Sequence, residues 1–336
     1  MVGVLVLLAW GCSTEDPATQ QRPPAASGSA SNPVPAPVLG ASHVLLPMPG
    51  DDGLVLLTGP PEGAASDDAL GVWQWDGSAW QEHAGPGPAT RNYFSAAYDE
   101  GRDVVVLYGG DAAGAEATTT WEWDGDGWSS SQPAGPGPRL AAPMAHDEVS
   151  GAVVLYGGDR GGQVENDTWA WDGSRWTQVA TRGPDPARWP AGFAGTGDGV
   201  VLVGGHQVVD EDLPLAVGDT WVWRGRWREV PDAGGPGLLV NAGTVEHPTL
   251  GTLLVGGSGL ERPTGDVWRW TGEQWQLVGE DVFPERQAFG IGYDSARDVV
   301  VMTGGLVQPG STERHQDVWE WSGDPGTPAE RVFEGT

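Results

Sequence analysis

Val104-Val105-Val106-Leu107-Tyr108-Gly109-Gly110, followed after a polar stretch by Thr120-Trp121-Glu122-Trp123-Asp124-Gly125, decides the architecture of this chain. The first run is apolar at every position, as expected of a strand covered on both faces. Gly109-Gly110 ends it, where either no side chain fits or φ is positive. Trp121 and Trp123 stand at i and i+2, so on a strand they share one face. Asp124-Gly125 is a strong short-hairpin signal, and Trp128 lies in the strand beyond it. With residues 94–98 ahead and a polar turn over 99–103, the unit reads as four strands, a to d.

The unit recurs along the chain. Trp-x-Trp occurs at Trp73/Trp75, Trp121/Trp123, Trp169/Trp171, Trp221/Trp223, Trp268/Trp270 and Trp319/Trp321, spaced by 48, 48, 52, 47 and 51 residues. Gly-Gly follows an apolar run at 109–110, 157–158, 204–205, 256–257 and 304–305, spaced by 48, 47, 52 and 48. Two independent markers keep one period near 50, which is the length of a propeller blade. The turn between strands c and d holds Gly in all six units: Gly77, Gly125, Gly173, Gly225, Gly272 and Gly323. Ala-Gly-Pro-Gly-Pro at 84–88 and 134–138 breaks the sheet before the next unit. The ends depart from the pattern. Unit one has Thr58-Gly59-Pro60-Pro61 where Gly-Gly is expected, and unit six lacks the third Trp, so that its strand d is either 331–333 or a borrowed segment.

The apolar run with Gly-Gly, the aromatic closing strand c, the later Trp and the Pro-x-x-Arg or Pro-Arg lead into the next strand resemble kelch repeats over residues 42–336. The resemblance implies an all-β, six-bladed kelch-type propeller with four antiparallel strands per blade, similar to the central propeller of galactose oxidase. Trp-Asp at 75–76, 123–124 and 171–172 hints at WD repeats, but those are shorter and lack Gly-Gly after strand b.

Composition and charge narrow the function. Seventeen basic residues, all Arg, stand against 46 acidic ones for a net charge of −29, with no basic block, which argues against nucleic-acid binding. The single Cys excludes a disulfide framework. That residue, Cys12, follows an apolar run at 2–10 that is too short to span a bilayer and has the length of a signal-peptide core. Leu8-Ala9-Trp10-Gly11-Cys12 resembles the lipobox of bacterial lipoproteins, which implies lipidation at Cys12 and a cell-envelope location, in the outer membrane or at the cell surface. Plain secretion, or a periplasmic protein, is the alternative. Residues 13–40 are rich in Pro, Ala and Ser without apolar periodicity and read as a disordered tether. The expected organisation is therefore a signal peptide at 1–12, a tether at 13–40 and the propeller at 41–336.

The resemblance places the b–c and d–a loops on one face around a central channel, and the b–c loops are long at 111–119, 159–167, 206–219, 258–266 and 306–317. Arg91, Arg139, Arg188 and Arg286 lie just before strand a. The matching position in kelch adaptors implies an anion site at the channel mouth; the bland reading has each Arg bonding loop carbonyls or a nearby Asp. Trp189, outside the repeat positions, either stacks a sugar ring or fills a blade interface, and His206 and His315 fall in b–c loops where they meet in space or stay solvated. Asp167, Asp219, Asp266 and Asp317 precede their Trp pair by two and read as loop caps rather than a calcium set. Asp124-Gly125-Asp126-Gly127 reads as a hairpin turn, since no Glu stands at position twelve of a calcium loop. The other seventeen tryptophans beyond Trp10 and Trp189, in fixed register, read as packing. Neither a metal nor a cofactor is expected; the copper chemistry of galactose oxidase needs a Cys outside the signal region. The expected function is binding of a protein or glycan partner through the long-loop face by a monomer held to the membrane at Cys12, with no nucleic acid involved. The alternative is a carbohydrate-active kelch enzyme similar to sialic-acid mutarotases, with pairs such as Arg160 and Glu165 as candidate groups.

Overall fold

In a computed structural model, the described residues are 36–40, 42–50, 53–60, 69–210, 213–259, 262–306 and 314–335. Cys12 and the signal segment lie outside them, as does most of the tether. Six four-stranded antiparallel sheets follow one another along the chain, each in the order a-b-c-d. Blade 2 is typical, with strands Phe94–Asp99, Val104–Gly109, Thr120–Trp123 and Trp128–Ser131. The six innermost strands neighbour one another around a ring, and Gly290–Asp294 of blade 6 returns beside His43–Pro47 of blade 1. The chain is a six-bladed β-propeller.

Six apolar clusters fill the six seams between blades. Strand b explains itself there. Val105 and Leu107 turn toward blade 1, whereas Val106 and Tyr108 turn toward blade 3, so no position on the strand is left for a polar side chain. Both glycines of every Gly-Gly pair have positive φ, for example +72° and +90° at Gly109 and Gly110, a conformation that L side chains rarely adopt. A Cβ on Gly109 would also stand 2.6 Å from the carbonyl oxygen of Arg139 in the next blade.

The tryptophans are structural in the way their register implies. The second Trp of the pair leans on the strand-d Trp in blades 1 to 5, with ring centroids between 5.0 Å in blade 1 and 6.4 Å in blade 2. Each strand-d indole also meets the preceding blade at the residue before that blade's Trp pair. Where this residue is Thr, the indole N–H donates to its hydroxyl: Trp176 to Thr120 at 2.9 Å, Trp227 to Thr168 at 2.8 Å and Trp275 to Thr220 at 3.1 Å. Trp128 and Trp80 instead pack in clusters with Val72 and Val318.

Blade 6 closes with its own chain. Its strand d is Glu330–Phe333, not a borrowed segment, and Phe333 meets the edge of Trp75 with centroids 5.8 Å apart. Leu39 joins the same seam among Leu45, Leu54, Val301 and Val318, and its N–H donates to Gln316 Oε1 at 3.1 Å. The last residues of the stretch expected to be tether thus lie against the ring. Arg297 bonds Asp294 and Glu320, and Glu320 accepts the Trp75 indole N–H at 3.3 Å; Arg102, Asp99, Glu122 and Trp171 repeat this bolt between blades 2 and 3.

Two b–c segments expected as loops are largely strand. Strands Ala152–Asp159 and Val164–Trp171 of blade 3, and Gly199–Asp210 and Leu213–Trp223 of blade 4, continue past the Gly-Gly pair. The ladder shifts register there, between Tyr156 and Gly158 and between Val203 and Gly205, and then resumes. The glycines work as a bulge rather than a stop. In blade 2 the segment holds a 3-10 turn, Gly114–Thr118.

Candidate functional site: the central channel and its mouth

A channel of about 1880 Å3 runs among the innermost strands. Its wall is mostly apolar, with Val44, Leu46, Ala96, Met144, Phe193 and Ile291 among the lining residues. The b–c end carries Tyr93, Asp159, Gln163, Trp189, His206, Gln207 and Asn241. The a–b turn end carries Glu100, His146, Glu148 and Glu246.

The arginines are turned away from this space. Arg139 is buried and forms a fork on Asp167, with Nη–O distances of 2.5 and 2.8 Å, while the indole of Trp169 donates to the same carboxylate at 2.8 Å. Arg286 repeats this with Asp317 and Trp319, and Arg188 with Asp219 and Trp221. In blade 2, Arg91 pairs with Glu116, which also accepts the Trp121 indole N–H. Arg91, Arg139 and Arg286 further donate to the first carbonyl of a Gly-Gly pair, at Gly109, Gly157 and Gly304. Bidentate fork geometry of this kind suits a planar guanidinium. None of the four is among the described channel-lining residues. Burial acts to raise the carboxyls of Asp167 and Asp317, but the bonds from Arg and Trp outweigh it and hold both below the ordinary range.

The aspartates before the Trp pairs therefore serve these pairs, except in blade 5. There Leu239 occupies the Arg position, its carbonyl accepting the Gly205 N–H as that of Arg139 accepts Gly110. Asp266 takes the Asp281 N–H at 3.0 Å, and the buried Trp268 indole N–H has no hydrogen-bond partner. Asp124 caps its own turn, accepting the N–H groups of Asp126 and Gly127 at 3.1 and 2.9 Å. Among the described residues, no group of three or more His, Cys, Asp or Glu is arranged to hold a metal ion.

Trp189 and His206 come together at the mouth. Each backbone N–H donates to the other's carbonyl at 3.0 Å, and the rings lie 5.2 Å apart at 40°. Burial lowers the His206 pKa, which favours the neutral imidazole. His315 sits in blade 6 with its N–H on the Gly305 carbonyl, and is not among the described lining residues; nor are Arg160 and Glu165.

Three features of the site escaped the sequence. Tyr93, Ala141, Asn241 and Ala288 each stand one to three residues before an innermost strand, with φ between +50° and +55°. In blade 2, where Thr119 stands two residues before the Trp pair, Glu116 takes the part of the Asp from the 3-10 turn, five residues before the pair. Loss of hydration within the ring wall pushes Glu246 up to about 7, and the like charges of Glu148 and Glu100 add to it. Its side chain is exposed to the channel, so water screens part of this effect.

Compared with known protein families and with characterised proteins, the chain matches none.

Proposed function

We propose that this chain is a kelch-type binding protein of the bacterial cell envelope, lipid-anchored at Cys12, that takes a protein or glycan partner on its long-loop face. One observation carries the reading. The long-loop end of an open channel presents an aromatic pair, Trp189 and His206, together with the unburied side chains of Tyr93, Gln163 and Asn241, on a ring whose other described tryptophans are committed to blade packing. A rigid scaffold with its variable loops at one end is a usual arrangement for recognition.

Two experiments test it. Cys12→Ala in the full-length chain is expected to move the protein from the membrane fraction to the soluble one, and retention in the membrane overturns the anchor. Photo-crosslinkers placed in turn at Gln163 and at Glu148, at opposite ends of the channel, are expected to trap an envelope component from Gln163 only. Trapping from Glu148 alone overturns the choice of face.

A further inference from the structure

We propose that the long-loop mouth of the channel is a site for an uncharged saccharide, with the Trp189 indole as its stacking platform and the side chains of Asn241, Gln207 and Gln163 as its polar partners. This names a ligand class for the binding reading above and rests on it.

Trp189 is the first support. It is the one described Trp outside the blade positions, so packing between Trp pairs does not account for it. Two backbone hydrogen bonds and the His206 ring hold it at the mouth, half-buried. An indole fixed at the rim of a mostly apolar cavity offers a flat apolar face at little cost in side-chain freedom.

The rim around it is fixed as well. Tyr93 donates its backbone N–H to Ser42 Oγ at 2.8 Å, Ala141 to the Tyr93 carbonyl at 2.8 Å and Ala288 to the Asn241 carbonyl at 3.0 Å, each across a seam between blades. Left-handed backbone at non-glycine residues persists only where the surroundings over-determine it. Here it holds the exposed Tyr93 and Asn241 at the rim. A mouth built this way loses little freedom on binding.

Charge selects the class. The described acidic side chains that line the channel are Glu100, Glu148, Asp159 and Glu246, and no arginine is among the described lining residues. The four arginines at the entries to strand a each bond a carboxylate within their own blade. Sugar acids, phosphates and acidic peptides meet a negative field with no guanidinium to receive them. At the mouth itself the carboxylate is Asp159, one oxygen of which accepts the Gly162 N–H at 2.6 Å. Carboxamides, a phenol and an indole line the same end of the channel. Carboxamides both donate and accept, as sugar hydroxyls require.

The test uses the purified full-length chain with maltotriose, triacetylchitotriose, N-acetylneuraminate and choline as probes, read by calorimetry and ligand-detected NMR. A neutral trisaccharide is expected to bind, with affinity falling about tenfold in Trp189→Ala and less in Trp189→Phe. Melting temperature should be the same in all three proteins. If Trp189→Ala disturbs the fold, Asn241→Ala carries the same comparison; this side chain is exposed, with its Nδ2–H donating to Gln287 Oε1 at 3.2 Å and its Oδ1 left for a ligand. Binding of N-acetylneuraminate or choline in preference to both neutral sugars overturns the proposal, as does sugar binding indifferent to Trp189 and Asn241. Failure of both neutral sugars to bind also overturns it. If a component is nevertheless trapped from Gln163, the binding-protein reading stands and only the saccharide falls; if nothing is trapped there either, both fall.

Discussion

Blades 3 and 5 have the same four strands, the same Gly-Gly pair and the same Trp pair, yet differ at the buried position ahead of strand a. Blade 3 has Arg139 forked on Asp167 with Trp169 donating to the same carboxylate. Blade 5 has Leu239 in that place, a half-buried Asp266 held by a backbone N–H, and an unpartnered Trp268 indole. Both blades form the same sheet, so the guanidinium does not specify the blade. What specifies it is the alternation of strand b, the paired glycines and the tryptophan register. The arginine instead satisfies a carboxylate that the blade would otherwise bury alone, and this commits it to the interior rather than to a ligand.

The sharpest way to break the comparison is to make blade 3 resemble blade 5. Arg139→Leu leaves Asp167 buried beside an indole and without its cation, and should cost about 3–5 kcal/mol in denaturant unfolding. Adding Asp167→Asn should recover much of that loss; an unchanged single variant would show that the pair contributes nothing. The same pair gives an acid dependence with a definite sign. Asp167 and Asp317 are held below their ordinary range in the folded state. Their contribution is therefore present above about pH 4, the ordinary carboxylate value, and is lost as pH falls through the depressed folded values. Arg139→Leu should flatten that acid limb.

A smaller contrast separates the two kinds of strand-d Trp. Trp176→Phe removes a hydrogen bond to Thr120 and leaves its hydroxyl in the seam, whereas Trp128→Phe loses no such bond, since Val72 stands at that position. The first substitution should cost about 1 kcal/mol more than the second, measured by the same unfolding assay. Equal losses would mean that packing alone sets both seams.

The smallest effect lies in the channel. Glu246 has a folded pKa of about 7 against an ordinary 4.5. An acid raised in this way makes the folded state bind more protons than the unfolded one between those values, so stability declines as pH rises through that window and stays lower above it. Glu246→Gln should therefore raise the melting temperature at pH 8 by about 2 °C, after allowance for channel water, and by less at pH 5. A larger gain at pH 5 would reverse the sign and remove this account of the raised carboxyl.

Much of this fold was legible in the residues. The six Trp pairs and five Gly-Gly pairs counted the blades, and strand b of blade 2, expected at 104–108, runs Val104–Gly109. What was not legible depends on neighbours distant in sequence. The fate of the arginines turned on whether a carboxylate 25 to 31 residues later would reach them inside the blade. The b–c hairpins of blades 3 and 4 were hidden because Gly-Gly reads locally as an end to a strand, whereas pairing resumes beyond it. The closing of the ring was undetermined because it needs Leu39, Val301 and Val318 in one cluster. The left-handed rim carried no signal, since Tyr, Ala and Asn are ordinary residues there until the blade-to-blade hydrogen bonds force φ positive.

The unshared blades have a consequence for how such a chain can be rebuilt. Every sheet is one uninterrupted stretch of sequence, and the ring is joined by side-to-side packing without an exchanged strand. Leu39 and Gly335 both lie against Gln316, so the two ends of the described ring meet at one residue. A short peptide joining them would leave the seam in place and allow the chain to be opened at any outer d–a connection, giving six permuted orders of one structure. Each blade is in that sense a cassette, and duplication or loss of a whole fifty-residue segment changes the circumference of the ring without breaking a sheet.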